Sequence, residues 1–303
     1  MTLLKSWTAP ANTGEQAKRN ISAHYDVSNE MFAAFLSPDM TYSSTQAPYH
    51  IKAARIEPSD HVLEIGTGWG SFAIQAVRET GCTLTSVTLS AEQKALAEKR
   101  IEAAGLADKI TVLLCDYRDI PNLGLRFDKI VSIEMLEHTG IEHLAEYFGV
   151  IKDLLTGQGA IASLQATLMS ESIFPGGYLP TLTQTVEAIN KGAGDHFIID
   201  RVEAFDGLAK TFQIWRETFD REFEAVIRPG LLAKIPQLCE ADVETFRRKW
   251  RASFCRRKLR IMLIFAQYYF AYCQAGFEAQ VLRTVTLRLV RNGTPIVAQD
   301  CFM

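Results

Sequence analysis

The residues that invite a chemical reading lie close together. Glu64-Ile-Gly66-Thr-Gly68-Trp-Gly70 sets three glycines at alternate positions, with an acid two residues before the first. Glycines so spaced let a chain turn sharply and approach a ligand closely. A dinucleotide fingerprint would put its third glycine at position 71, which is Ser71, and the second strand would end on an acid for a ribose, where this chain has Val87-Thr-Leu-Ser90. The alternating form instead suits a ligand that lacks a pyrophosphate and carries positive charge, such as a sulfonium bearing an amino-acid end, with Glu64 as counter-charge. The plain alternative is a tight strand-to-helix turn.

These residues need a frame. His61–Ile65 is a short β-rich run, followed by the glycine loop and a helical stretch to Glu79. Thr83–Leu89, Ile110–Leu114, Phe127–Ile133 and Ala160–Ala166 read as four more strands. Between them lie helices over Ser90–Ala104, closed by Gly105, and over Ile141–Leu155. Strands alternating with helices predict a parallel sheet covered on both faces. A helix is expected from Ile21 to Leu36, another over Ala209–Val226, and one or two long ones within Ala241–Gly276. The element types of Val186–Ile189 and Ile198–Val202 stay open. Val281–Val290 reads as a strand, and Asn292-Gly293 as a turn into a final hairpin strand from Val297. The last third thus reads as an addition around an α/β core or as an insertion that completes its sheet.

At 303 residues, with 48% apolar and 22% charged residues, the chain is globular rather than disordered or fibrous. A net charge of −3 gives no sign of nucleic-acid binding. The longest apolar run, Ile261–Cys273, is too short to span a bilayer. The opening residues lack the apolar core of a signal peptide, and six scattered cysteines form no CxxC pair. A cytoplasmic protein without a metal site is the expectation.

Taken together, several segments resemble the cyclopropane-fatty-acid synthase and mycolic acid methyltransferase family of S-adenosylmethionine-dependent enzymes. They are His24-Tyr-Asp-Val-Ser-Asn-Glu-Met-Phe32, Tyr42-Ser43, Val62–Gly70, Val87–Gln93, Asp116-Tyr-Arg-Asp119, Phe127–Ile133, Glu137-His138, Ile173–Pro180, Ala209-Lys-Thr with Trp215, and Tyr272–Phe277. The resemblance covers about residues 20 to 290. It implies that Tyr42 and Ser43 cover the cofactor's carboxylate end, and that Gly66 and Gly68 lie against its methionine backbone. Thr88, Leu89 and Gln93 would meet the ribose region, Asp116, Tyr117 and Arg118 would surround the adenine, and Ile133 would lie near the sulfur. Each has a structural alternative: Ser90 and Gln93 also form a helix-capping pattern, Asp116 and Arg118 suit a solvated loop, and Tyr42 suits a core.

A sulfonium methyl is an electrophile that an alkene can attack, leaving a carbocation beside the new methyl group. Proton loss from that methyl closes a cyclopropane, and proton loss elsewhere leaves a methylated alkene. Aromatic faces can stabilise the cation; candidates are Tyr25, Trp69, Phe174, Tyr178, Tyr268, Tyr269 and Tyr272. In cyclopropane-forming relatives the resemblance implies a bound bicarbonate as base, held by cysteine, glutamate, histidine, isoleucine and tyrosine. This chain has Ser44, Glu137, Gln165, Thr167 and Leu208 at those positions, so only the glutamate is kept. The reaction or the substrate should therefore differ. Glu137 could be the base, could orient His138 or a water, or could, with His138, only brace the loop.

The expectation is a Rossmann-like α/β methyltransferase with a mostly parallel sheet and an α-rich lid. Its divisions would be a helical cap over 1–53, a cofactor-binding core over 54–170, and sheet completion with a substrate lid over 171–303. The expected activity is S-adenosylmethionine-dependent methylation of carbon in an unsaturated lipid-like or isoprenoid-like acceptor, with Glu137, His138 and Tyr25 as catalytic residues. The alternatives are a cyclopropane-forming synthase and a cofactor-binding, non-methylating cyclase or binding module. Eight basic residues from Arg247 to Arg260, with no acid from Thr245 to Ala275, suggest peripheral membrane contact, an acidic substrate or a solvated face. A homo-oligomer is compatible with the sequence.

Overall fold

A computed structural model describes residues 29–37, 40, 47–157, 159–168, 179–205, 208–250 and 269–294. Two short helices, α1 (Asn29–Phe35) and α2 (Ala47–Ala53), precede an alternating run. It comprises β1 (His61–Ile65), α3 (Ser71–Thr80), β2 (Thr83–Thr88), α4 (Ala91–Ala103), β3 (Ile110–Leu114), β4 (Lys129–Ile133), α5 (Leu144–Leu154) and β5 (Ile161–Leu168). There follow α6 (Leu182–Ala193), β6 (Phe197–Phe205), α7 (Leu208–Glu222), α8 (Arg228–Lys234), α9 (Glu240–Trp250), α10 (Tyr269–Glu278) and β7 (Arg283–Arg291).

The seven strands form one sheet in the order β3-β2-β1-β4-β5-β7-β6. β1 to β5 run parallel, with Leu63 opposite Thr85 on one side and Ile130 on the other. β7 slots antiparallel between β5 and β6. The mostly parallel sheet expected from the alternating pattern is thus present, and the last third of the chain completes it. Within β6 the register slips between Ile199 and Arg201. The intervening Asp200 pairs with the buried guanidinium of Arg288 on β7.

Two apolar layers flank the sheet. One packs α3 and α4 through Phe72, Ala76, Ala97 and Ile101; the other packs α5 and α6 through Phe148, Ile151, Ala188 and Ile189. A third cluster is built mainly by the helices and joins Phe32 and Phe35 of α1 to Phe212, Trp215 and Phe219 of α7 and Phe277 of α10. Val186–Ile189, left open above, lies inside α6. The cause is local: Thr181 and Gln184 form a reciprocal capping box, and the buried Thr185, Ala188, Ile189 and Ala193 follow a helical rather than an alternating period. Ile198–Val202 belongs to β6. The expected helix over Ala209–Val226 is α7 followed by a wide π turn at Phe223–Ile227. The strand expected from Val297 and the first half of the helix expected from Ile21 lie outside the described residues, as does the region between α9 and α10; the second half of that helix is α1. None of the described helices is long and apolar enough to cross a membrane.

α5 and α6 meet almost backbone to backbone. A Cβ on Gly192 would overlap the Ala145 carbonyl oxygen, and one on Gly149 would come within 3.3 Å of the Gly192 carbonyl. In an open helix, glycine to alanine gains about 1 kcal/mol. Here the sign should reverse. Gly192→Ala is expected to lower unfolding free energy by roughly 1–3 kcal/mol through overpacking, measured by guanidinium denaturation.

Candidate active site

The C-terminal ends of β1, β2 and β4 open into one cavity of about 160 Å³. In open α/β sheets this is where ligands bind. Its floor is the glycine loop. The backbone N–H groups of Gly66 and Thr67 both donate to the Val87 carbonyl, at 3.0 and 3.1 Å, and so tie the loop to β2. Gly70, at φ +83°, sits against α4; a Cβ there would meet the Ala97 Cβ at 3.2 Å. Gly68, at φ +51°, has only open space where its Cβ would point. One glycine therefore serves packing and another keeps the cavity floor clear.

Of the residues singled out above, Glu64, Gly66, Gly68, Thr88, Leu89, Gln93, Tyr117, Ile133 and His138 line this cavity, joined by Met40, Trp69, Glu134 and Met135. Glu64 is 3% exposed. The Ser86 hydroxyl bridges its Oε2, at 2.5 Å, and Thr67 Oγ1, at 2.6 Å. Burial overrides this single hydrogen bond and pushes the Glu64 carboxyl up to about 8.

Gln93 is only half a cap. Ser90 Oγ accepts from the Gln93 N–H at 3.1 Å, but the Gln93 side chain turns to Thr88, whose hydroxyl donates to Oε1 at 2.8 Å. Thr88 Oγ1 in turn accepts the Ser90 N–H at 3.1 Å. Thr88 thus does for Ser90 what the glutamine of a capping box would do, and Thr88 and Gln93 are joined at the cavity wall. Tyr117 is buried, and its hydroxyl has no hydrogen-bond partner among the described residues.

Asp116 and Arg118 are placed differently from the expectation. Neither is among the cavity's lining residues. Asp116 caps the 3₁₀ turn Tyr117–Leu123 by accepting the Arg118 N–H at 3.0 Å, and its carboxylate also takes the Arg118 guanidinium at 2.8 and 2.6 Å. Each neutralises the other. Tyr25, Tyr42, Ser43, Ser44, Phe174, Tyr178 and Tyr268 lie outside the described residues, while Tyr269 and Tyr272 fall in α10. Trp69 lines the cavity and is also buried against Phe32, with ring centroids 4.9 Å apart. It joins the glycine loop to the helical cluster.

Glu137 does not line the cavity among the described residues. It is 3% exposed, and its Oε1 accepts the Thr167 N–H at 2.5 Å. Its pKa lies well above the usual carboxyl range, first because of burial and then because Glu134 stands beside it. His138, at the cavity wall, is lowered to about 4 by desolvation and is neutral at pH 7. Leu208, where the resemblance implies a tyrosine, is buried at the start of α7.

Sequence reasoning missed a buried polar chain behind this wall. His50 on α2 meets Ser163 Oγ through Nδ1 at 2.9 Å and Gln165 Oε1 through Nε2 at 3.1 Å. Gln165 Nε2 donates to Glu134 Oε1 at 2.7 Å, and Thr167 Oγ1 donates to Glu134 Oε2 at 3.0 Å. Because the Gln165 amide spends its NH₂ on Glu134, its oxygen must accept from His50 Nε2–H, which makes Nδ1 the acceptor from Ser163. No cluster able to hold a metal occurs among the described residues.

The arrangement fits a ligand with a cationic end and an aromatic or ribose end. It offers a buried acid, a clear floor, a paired Thr88–Gln93 wall and an orphan phenol. Comparison with known proteins agrees. The family model for mycolic acid cyclopropane synthetase matches residues 12–234. Tuberculostearic acid methyltransferase of Mycobacterium tuberculosis is 32% identical, over 97% of this chain and 69% of that one. Cyclopropane-fatty-acyl-phospholipid synthase of Escherichia coli K12 is 29% identical, over 89% of this chain and 68% of that one. This chain therefore spans a little over two thirds of the length of these two relatives. A cyclopropane synthase structure from Mycobacterium tuberculosis superposes with a TM-score of 0.70 at 21% identity, over 90% and 97% of the two chains, and so shares the fold. With three glycines, a buried acid and a matching sheet behind one cavity, the chain belongs to the mycolic acid cyclopropane synthetase family and is an S-adenosylmethionine-dependent methyltransferase.

Proposed function

We propose that this enzyme methylates carbon at the double bond of an unsaturated fatty-acyl lipid. The observation that carries this reading is the proximity of two features: a cofactor chamber based on Glu64, and a carboxyl pair in which Glu134 lines that chamber and the buried Glu137 neighbours it. Relatives named as methyltransferases of tuberculostearic acid and of fatty acids support the acceptor class. When bound, S-adenosylmethionine supplies an electrophilic methyl group. Glu64 would face its positive charge, Gly66 and Gly68 its backbone, Thr88 and Gln93 its ribose, and the Tyr117 hydroxyl would find its missing partner there. The neutral His138 and the Met135, Ile133 and Trp69 side chains add no charge to the wall and leave little there for water to bind. Arg247, from the basic stretch, is already paired with Glu224 at 3.0 Å and stacked on Phe223, which favours a structural role for that residue.

The test is incubation with methyl-labelled S-adenosylmethionine and vesicles of monounsaturated phospholipid. Unlabelled S-adenosylhomocysteine and a labelled acyl chain heavier by one CH₂, with vinylic but no high-field cyclopropyl proton signals, are expected. Cyclopropyl signals would assign ring closure instead.

Glu64 gives a second expectation, in pH. In the free protein its carboxyl titrates near 8, and a cationic ligand prefers it ionised. Binding should release a proton, so Kd for the cofactor should rise up to tenfold per pH unit below about 8, visible by calorimetry in buffers of different ionisation enthalpy. The stability linkage has the opposite sense. A carboxyl raised on folding supports the fold fully below its unfolded pKa, and that support is lost as pH rises from 4.5 to about 8. Glu64→Gln should therefore melt higher than the parent at pH 8–9 without ligand, yet bind the cofactor at least tenfold more weakly.

A further inference from the structure

Glu134 carries features that its place in the sequence does not announce. It is the only carboxylate besides Glu64 among the described lining residues of the cavity. Its backbone lies at φ +53°, in the left-handed region where side chains other than glycine are uncommon. A strained backbone held by surrounding structure is a pointer to function, and what holds it is plain. Its N–H donates to the Gln165 carbonyl at 2.9 Å, and its two oxygens take Gln165 Nε2 and Thr167 Oγ1. Gln165 and Thr167 are two of the positions at which this chain departs from the ligand set implied for an external anion. In this chain both donate to an internal carboxylate.

Glu137 stands behind it. Its Oε2 is buried and has no donor among the described residues, and the neighbouring Glu134 carboxylate can only accept. A proton on Glu137 that is donated to Glu134 satisfies both groups. Neighbouring carboxyls of which one is fully buried tend to share one proton rather than ionise together.

We propose that Glu134 is the base of the transfer reaction and Glu137 a positioning residue that presents it. The proposal rests on the methyl-transfer reading above. In the step, the alkene π pair forms the C–CH₃ bond as the sulfur leaves with the pair of its broken C–S bond. A Glu134 oxygen then takes a proton from carbon beside the cation, the C–H pair becomes the new C–C bonding pair, and Glu134 ends as a neutral acid that returns its proton to solvent on product release. No outside base is needed.

The experiment compares Glu134→Gln, Glu134→Gly and Glu137→Gln. Glycine suits the left-handed backbone, so Glu134→Gly should fold. Both Glu134 variants should lose at least a hundredfold in kcat with cofactor Kd within threefold of the parent, and acetate or bicarbonate should restore part of the turnover of Glu134→Gly. Glu137→Gln, whose amide can still donate to Glu134, should keep kcat within about fivefold. Independently of turnover, infrared spectra at pH 7 in the Glu64→Gln background, which removes the neutral-acid band of Glu64, should show the carbonyl stretch of a neutral carboxylic acid that a further Glu137→Gln substitution removes. A Glu134→Gly enzyme active without added anion, or a Glu137→Gln loss as large as that of Glu134→Gln, overturns the proposal. Should the parent protein yield no methylated product with any unsaturated acyl acceptor, the methyl-transfer reading fails; the proton-sharing pair is then still decided by the infrared band, and its absence overturns the pair as well.

Discussion

A carboxyl group withdrawn from water must acquire either a proton or a cation, because leaving a bare charge in a dry site costs several kcal/mol. The ends of β1 and β4 apply this constraint twice. Glu64, at the end of β1, has one hydroxyl for company and stays largely protonated until a cation arrives. Glu137, after β4, has one backbone N–H and a neighbouring carboxylate, and so keeps its proton. A single property, burial, thus prepares one acid to bind positive charge and leaves another with a proton to offer its neighbour.

The same constraint explains why the polar side chains behind the cavity wall are linked to one another. Ser163, His50 and Gln165 are all buried, and each needs a partner. The chain runs from Ser163 through a neutral His50 to Gln165 and ends on Glu134, so its donors all point toward the cavity wall. Burial lowers His50 to about 4, which keeps that direction fixed at neutral pH. Around it, Trp69 ties the glycine loop to the helical cluster. A shift of α1 would therefore be felt at the cofactor floor.

Most of the frame was legible because its signals are local. β1, the alternating glycines, α3, and the Ser90 cap of α4 depend on neighbours within a few residues. Val186–Ile189 alone does not separate a strand from a helix, because four residues fit either period and the deciding Thr181–Gln184 box lies upstream of them. The Gln93 side chain could not be placed from sequence, since Thr88, at the end of the preceding strand, competes for it. Asp116 and Arg118 satisfy each other, a short-range pairing that motif matching does not weigh. The His50–Gln165 contact joins residues 115 apart and has no sequence signature. Glu134 carries a left-handed backbone that only glycine would have advertised.

Where the acid–base group is built into the chain, the outcome of the carbocation is set by geometry rather than by a diffusible ion. A tethered carboxylate has fixed reach. Both oxygens of Glu134 are already aimed by Gln165 and Thr167, so the proton it can take is the one the acceptor presents within hydrogen-bond distance. Ring closure and alkene formation begin from the same cation and differ only in which C–H bond faces the base. In the proposed reaction the pose of the acceptor before Glu134 therefore selects the product, and residues that touch only the acceptor can change it without altering the base.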